Sequence, residues 1–142
     1  METEDIAFSF STYQPISEDG LKLYSIIHVP KVVTYSSYLK NTIIGCLTVI
    51  IDREKTGDFE MPNIRSSHDM ALWLLIMKRE FDAYGLDENL ARYRIVSTSN
   101  TASKCRAAKD VWKVYRDIEK LSFFYSNWCF LNYMFNALVK RI

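Results

Sequence analysis

Between Ala7 and Tyr13 large apolar and small polar residues alternate (AFSFSTY), the period of a strand with one buried face. SEDG, residues 17–20, predicts a turn in which Gly20 can take positive φ. LKLYSIIHV predicts a second extended stretch, ended by Pro30. Thr34 can cap a short helix over 34–41, with Tyr38 and Leu39 on one face. TIIGCLTVIID, residues 42–52, is an unbroken apolar, β-branched run and predicts a strand buried on both faces. Gly45 inside it predicts a bulge or a close approach by backbone or ligand. Residues 53–67 are polar and predict a long loop. From Met70 to Met77 the chain is apolar nearly all round, which predicts a largely buried helix closed by Lys78, Arg79 and Glu80. FDAYGL predicts a short strand and turn, LARYRIV (90–96) another strand, and STSNTAS (97–103) a polar loop.

The last forty residues change character. Ala107, Ala108, Val111, Trp112, Tyr115 and Ile118 form one stripe of an amphipathic helix. From Leu121 to Val139 there is no charged residue, and lysines flank the run. Three readings stand: a membrane span, an interfacial helix with a basic end, or a helix packed in a core or a self-association interface. Ser122, Ser126, Asn127, Asn132 and Asn136 weigh against the span, because polar side chains are costly at bilayer depth.

Composition narrows the class. A chain of 142 residues, 49% hydrophobic and 25% charged, has enough apolar residues for one domain with a real core. A net charge of +1 argues against a dedicated nucleic-acid binder. Cys46, Cys105 and Cys129 lack any metal-ligand or CxxC spacing and read as reduced thiols. The opening METEDIAF carries no secretion signal, so the expected location is cytoplasmic.

The chemistry centres on Asp69, at the junction of RSSHD and the apolar helix. With Ser66 as N-cap it would be a third-position carboxylate bonding back to the cap. The same placement suits a general base, held rigidly with its oxygens toward a loop-lined cleft. Arg92 and Arg94 point to one face of their strand, either as a solvated sheet face or with one of them binding a phosphate. No phosphate-binding glycine loop, nucleophile signature, HExxH or D-x-D occurs.

Taken in order, NTIIGCLTVIID, TGDFEM, HDMALWLLIMKR and FDAYGLDENLARYR resemble the C-terminal, acceptor-side half of bacterial family 2 glycosyltransferases with the GT-A fold. The tail RAAKDVWKVYRDIEKLSFFYSNWCFLNY is similar to that of members building cell-surface polysaccharides, the teichuronic acid type included. The resemblance implies an α/β architecture, α+β in a fragment, over 1–102, followed by a helical extension over 103–142. It implies that Asp69 is the general base of an inverting transfer, with His68 where the family carries Glu or Gln. Gly45 and Cys46 match a segment lining the acceptor cleft, and Arg94 the arginine near the donor phosphates. The implied partners are a nucleotide-sugar donor and a saccharide or lipid-linked acceptor. A divalent metal, Mg or Mn, is expected in a complete enzyme on a D-x-D that these residues do not contain. Three expectations follow: a fragment inactive alone, a homo-oligomer, and possible contact of residues 121–142 with the inner face of the plasma membrane. The alternative is a non-enzymatic α+β binding or oligomerisation module associating through its C-terminal helices.

Overall fold

The computed structural model describes residues 5–64, 66–97 and 104–139. They form a mixed four-stranded sheet and five α-helices, an α/β arrangement as expected. The sheet order is β2-β4-β1-β3, with β1 Phe8–Ile16, β2 Val32–Val33, β3 Ile50–Ile51 and β4 Ala83–Arg94. β1 and β4 run parallel at its centre, and the two short strands pair antiparallel at its edges.

The locally signalled elements are where the residues put them. α1, Tyr35–Lys40, is capped by Thr34, whose side chain accepts from the Ser37 N–H, and it buries Tyr38 and Leu39. α3, His68–Met77, buries Met70, Ala71, Leu72, Trp73, Leu74, Ile76 and Met77. Gly20 has φ +78°.

Three expectations are corrected. Residues 42–52 are not a strand buried on both faces: only Ile50 and Ile51 pair, at the sheet edge, after a 3₁₀ turn over Cys46–Thr48. The run satisfies its polar groups locally, for the Thr48 hydroxyl donates to the Gly45 carbonyl at 2.9 Å while Ile43, Ile44 and Val49 still reach the core. The loop over 53–67 opens with a short helix, α2 Arg53–Thr56, because Asp52 accepts from the Glu54 and Lys55 amides. FDAYGL and LARYRIV are not two strands but the single β4. Its turn-like residues are absorbed as a bulge, the register jumping from Ser11↔Leu86 to Thr12↔Asn89 and then Tyr13↔Ala91. Asp87 at the bulge accepts from Thr12 Oγ1 at 2.7 Å and pairs with His28 Nδ1 at 2.8 Å. The stretch over 21–29 forms no ladder with β1 but meets it through isolated bridges, Ile16↔Leu23 and Tyr13↔Ile27, and through the side chains of Gln14 and Thr12, which bond the Tyr24 carbonyl and the Val29 N–H.

The core lies between the sheet and the helices. Phe8 and Phe10 of β1 meet the inner side of α3, with the Phe8 and Trp73 rings 5.4 Å apart. Val111 of α4, Lys104–Lys113, joins this core, with Val114 and Tyr115 of the following π-helical turn (Val114–Ile118) and Cys129 of α5, Phe123–Val139. The helices are clasped at Glu119, whose side chain is 2% exposed. It accepts from Lys78 Nζ at 2.7 Å and from the Tyr35 hydroxyl at 2.5 Å. Glu119→Ala removes both charge-assisted bonds and should lower stability in urea unfolding by about 2 kcal/mol. An unchanged midpoint would remove the clasp from this account.

Candidate functional site

Asp69 stands in the first turn of α3, but not at the position that a Ser66 cap implies. The N-cap is Ser67, which has φ +58° and makes no side-chain cap bond. Asp69 Oδ1 accepts from the Met70 amide at 2.8 Å, so no reciprocal capping box forms. Its other oxygen has no hydrogen-bond partner among the described residues. The carboxylate is half-buried, with the apolar body of α3 behind it.

Two groups feel its charge. The fully buried Tyr38 hydroxyl is held well above the ordinary tyrosine range, by burial first and by Asp69 second. Cys46 reaches solvent, yet partial desolvation and then the Asp69 charge push its thiol up. Asp69 is therefore within electrostatic reach of Cys46, 23 positions away in sequence. Gly45 leaves room for a ring: a Cβ there would sit 3.1 Å from Cε1 of Tyr13. Tyr13 in turn meets Tyr93 edge-on at 6.0 Å between ring centroids. Burial, then Tyr93, raise the Tyr13 hydroxyl above its usual range.

Of the residues singled out from sequence, Cys46 and Asp69 are close enough for the charge of one to act on the other. His68 precedes Asp69 in the same turn and is exposed. Arg94 is placed apart from them. Its guanidinium donates to the Glu18 carbonyl at 2.6 Å and the Ser17 carbonyl at 3.4 Å, and it covers Gly20. Most of the polar loop over 97–103 lies outside the described residues. Tyr13, Tyr38 and Tyr93 were not read as site residues. Tyr38 carried only a core signal, and strand alternation does not say that Tyr13 and Tyr93 meet. Among the described residues no group of three or more His, Cys, Asp or Glu could hold a divalent metal, so these residues do not fit the expected ion.

A carboxylate in the first turn of a buried helix, one oxygen of which has no hydrogen-bond partner among the described residues, can accept a proton from a hydroxyl compound that reaches it. Along its length the chain resembles proteins named as glycosyltransferases. It is 51% identical over its whole length to a Bacillus subtilis protein named "Putative teichuronic acid biosynthesis glycosyltransferase TuaG", covering 56% of that protein. Over 118 residues, 82% of the chain and 46% of the relative, it is 30% identical to the Escherichia coli UDP-Glc:alpha-D-GlcNAc-diphosphoundecaprenol beta-1,3-glucosyltransferase WfgD. Identity is 29% over 141 residues to WfaP, a protein of the same designation and organism, with 99% of the chain and 55% of the relative covered. The chain thus spans about half the length of these relatives. No family model and no solved structure matches it.

Proposed function

We propose that these residues form the acceptor side of an inverting, family 2 glycosyltransferase of the GT-A type, with Asp69 as its general base. The observation that carries the reading is the Asp69 carboxylate in the first turn of α3, one oxygen of which has no hydrogen-bond partner among the described residues and whose charge reaches Cys46, in a chain similar along its whole length to a protein named as a glycosyltransferase. The acceptor is a saccharide carried on a polyprenyl diphosphate, as the names of two relatives state for their own substrates. Its hydroxyl gives its proton to Asp69 as the oxygen attacks the anomeric carbon of a nucleotide-sugar from the side opposite the leaving nucleotide. The α3 scaffold fixes the carboxylate before substrate arrives, which lowers the entropic part of the barrier. Gly45 keeps the bend narrow, and the Tyr13–Tyr93 pair offers an apolar wall to the C–H face of a sugar ring. When bound elsewhere in a complete enzyme, a divalent metal would supply charge for the departing diphosphate. The described residues of this chain contribute no ligand set for it.

The test is transfer itself. An enzyme of the relatives' length that contains these 142 residues is incubated with UDP-sugars, Mg or Mn, and a lipid-linked saccharide. Transfer with inversion at the anomeric carbon is the expected result. The 142 residues alone should give none, because they contain no D-x-D for the donor. No transfer from any donor by the longer enzyme, or transfer with retention, would overturn the reading.

A further inference from the structure

The described residues hold one large apolar surface that this chemistry does not use. α5 turns Ser126 and Cys129 inward and is tied to α1 by the Asn136 amide, which donates to the Lys40 carbonyl at 3.1 Å. Its outer side carries Phe124, Trp128, Leu131, Phe135 and Leu138, each more than half exposed, with Phe124 at 86%. Their spacing of four, three, four and three residues draws one line along the whole helix. At about 150–250 Å² per large side chain, the exposed parts amount to roughly 600 Å², the upper end for the largest patch of a soluble monomer.

We propose that α5 lies flat on an anionic lipid surface, with this line seated at the boundary between headgroups and acyl chains. The partner follows from four features. No residue from Leu121 to Val139 is charged. The polar side chains bordering the line each turn one hydrogen bond into the helix: the Asn127 amide donates to the Phe123 carbonyl at 2.9 Å, and that of Asn132 to the Trp128 carbonyl at 2.7 Å. At the headgroup boundary their remaining polar atoms still meet water or headgroups, so a flat helix suits them where a spanning one does not. Cations stand at both ends, with exposed Lys113 and Lys120 before the helix and Lys140 and Arg141 after it in sequence, while Asp117 is the exposed acid nearby. Finally, no helix among the described residues is long and apolar enough to cross a membrane, and an uncharged aromatic line with basic flanks suits an in-plane position. A second copy is the weaker occupant. A paired-helix seam favours aliphatic residues flanked by charges that set register, whereas this line is rich in Phe and Trp and its borders carry none. The proposal rests on the lipid-linked acceptor reading, and places the acceptor side at the membrane where such a substrate lies.

The test uses the 142-residue chain and vesicles without any saccharide lipid, so its outcome is separate from that of the transfer assay. Vesicles of phosphatidylglycerol and phosphatidylethanolamine should sediment the chain, and phosphatidylcholine vesicles much less of it. Brominated acyl chains should quench the fluorescence of the exposed Trp128, and Trp128→Phe should lose that quenching while still binding. Phe124→Glu with Phe135→Glu should weaken vesicle binding by about tenfold or more with an unchanged unfolding transition, since both side chains are exposed. Failure to sediment with anionic vesicles, or binding without quenching, would overturn the proposal. So would a dimer by light scattering that the double substitution splits while vesicle binding stays as it was.

Discussion

Asp69→Asn, in an enzyme of the relatives' length, should lower kcat for sugar transfer by about 10²- to 10⁴-fold, the ordinary contribution of a positioned general base. Asparagine keeps the local bonding, because its side-chain oxygen can still accept from the Met70 amide that now holds Asp69 Oδ1. What it loses is the capacity to take a proton at the oxygen that has no partner among the described residues. A carboxylate that served only to start α3 would therefore be replaced without consequence. The urea midpoint should stay within about 0.5 kcal/mol of the parent value, as for surface changes that keep their bonds. KM for the acceptor should change little, because the proton moves only as the new bond forms. Activity near the parent level, or a loss explained by unfolding, would leave Asp69 as a helix-start residue.

Gly85→Ala is the largest expected loss of stability. Gly85 lies in β4 where the chain at Pro30 and Lys31 crosses it, and its N–H donates to the Lys31 carbonyl at 2.9 Å. A Cβ at this position would stand 2.1 Å from the Pro30 carbonyl oxygen and 3.0 Å from Val29 Cγ2. The first neighbour is backbone, so no side-chain rotation relieves the contact. The strand pairing of β2 with β4, Val32↔Tyr84 and Val33↔Ala83, would have to part. The expected cost is about 3 kcal/mol or more, or about 10 °C in Tm for a domain of this size. Gly45→Ala provides the contrast. There the added methyl meets the edge of the Tyr13 ring at 3.1 Å, and a ring can shift by a few tenths of an ångström. Thermal unfolding of the two variants side by side should show a much deeper drop for Gly85→Ala, and equal transitions would contradict the crossing described for β4.

The parts of this fold that were legible in the sequence are those whose causes are local. The Thr34 cap and the Tyr38–Leu39 face fix α1 within a few residues. The apolar run after Asp69 can only be a buried helix, and α3 is one. Residues 42–52 misled because continuous β-branched residues satisfy a buried bend as well as a buried strand, and the Gly45–Thr48 turn decided between them. β4 misled because GLDEN has turn chemistry, which the sheet absorbed as a bulge against β1. For the site, the residue types at Asp69, Gly45 and Cys46 were readable, and their resemblance to a known order of motifs gave them roles. The reach of the Asp69 charge to Cys46, and the meetings of Gly45 with Tyr13 and of Tyr13 with Tyr93, depend on elements far apart in the chain. No period or cap encodes such a meeting. The tethering of Arg94 to the turn at Ser17 and Glu18 is of the same kind.

The account turns on the Asp69 carboxylate lying within electrostatic reach of Cys46, and the thiol of Cys46 reports on it in the chain as it is. The rate of iodoacetamide modification at Cys46, followed by peptide mass spectrometry across pH, rises with the thiolate fraction. Because the Asp69 charge adds to desolvation in raising that thiol, Asp69→Asn should move the whole profile to lower pH and make Cys46 react faster at any pH below its plateau. Superimposable profiles for the parent and Asp69→Asn chains, with both folded, would show that the carboxylate does not reach this thiol.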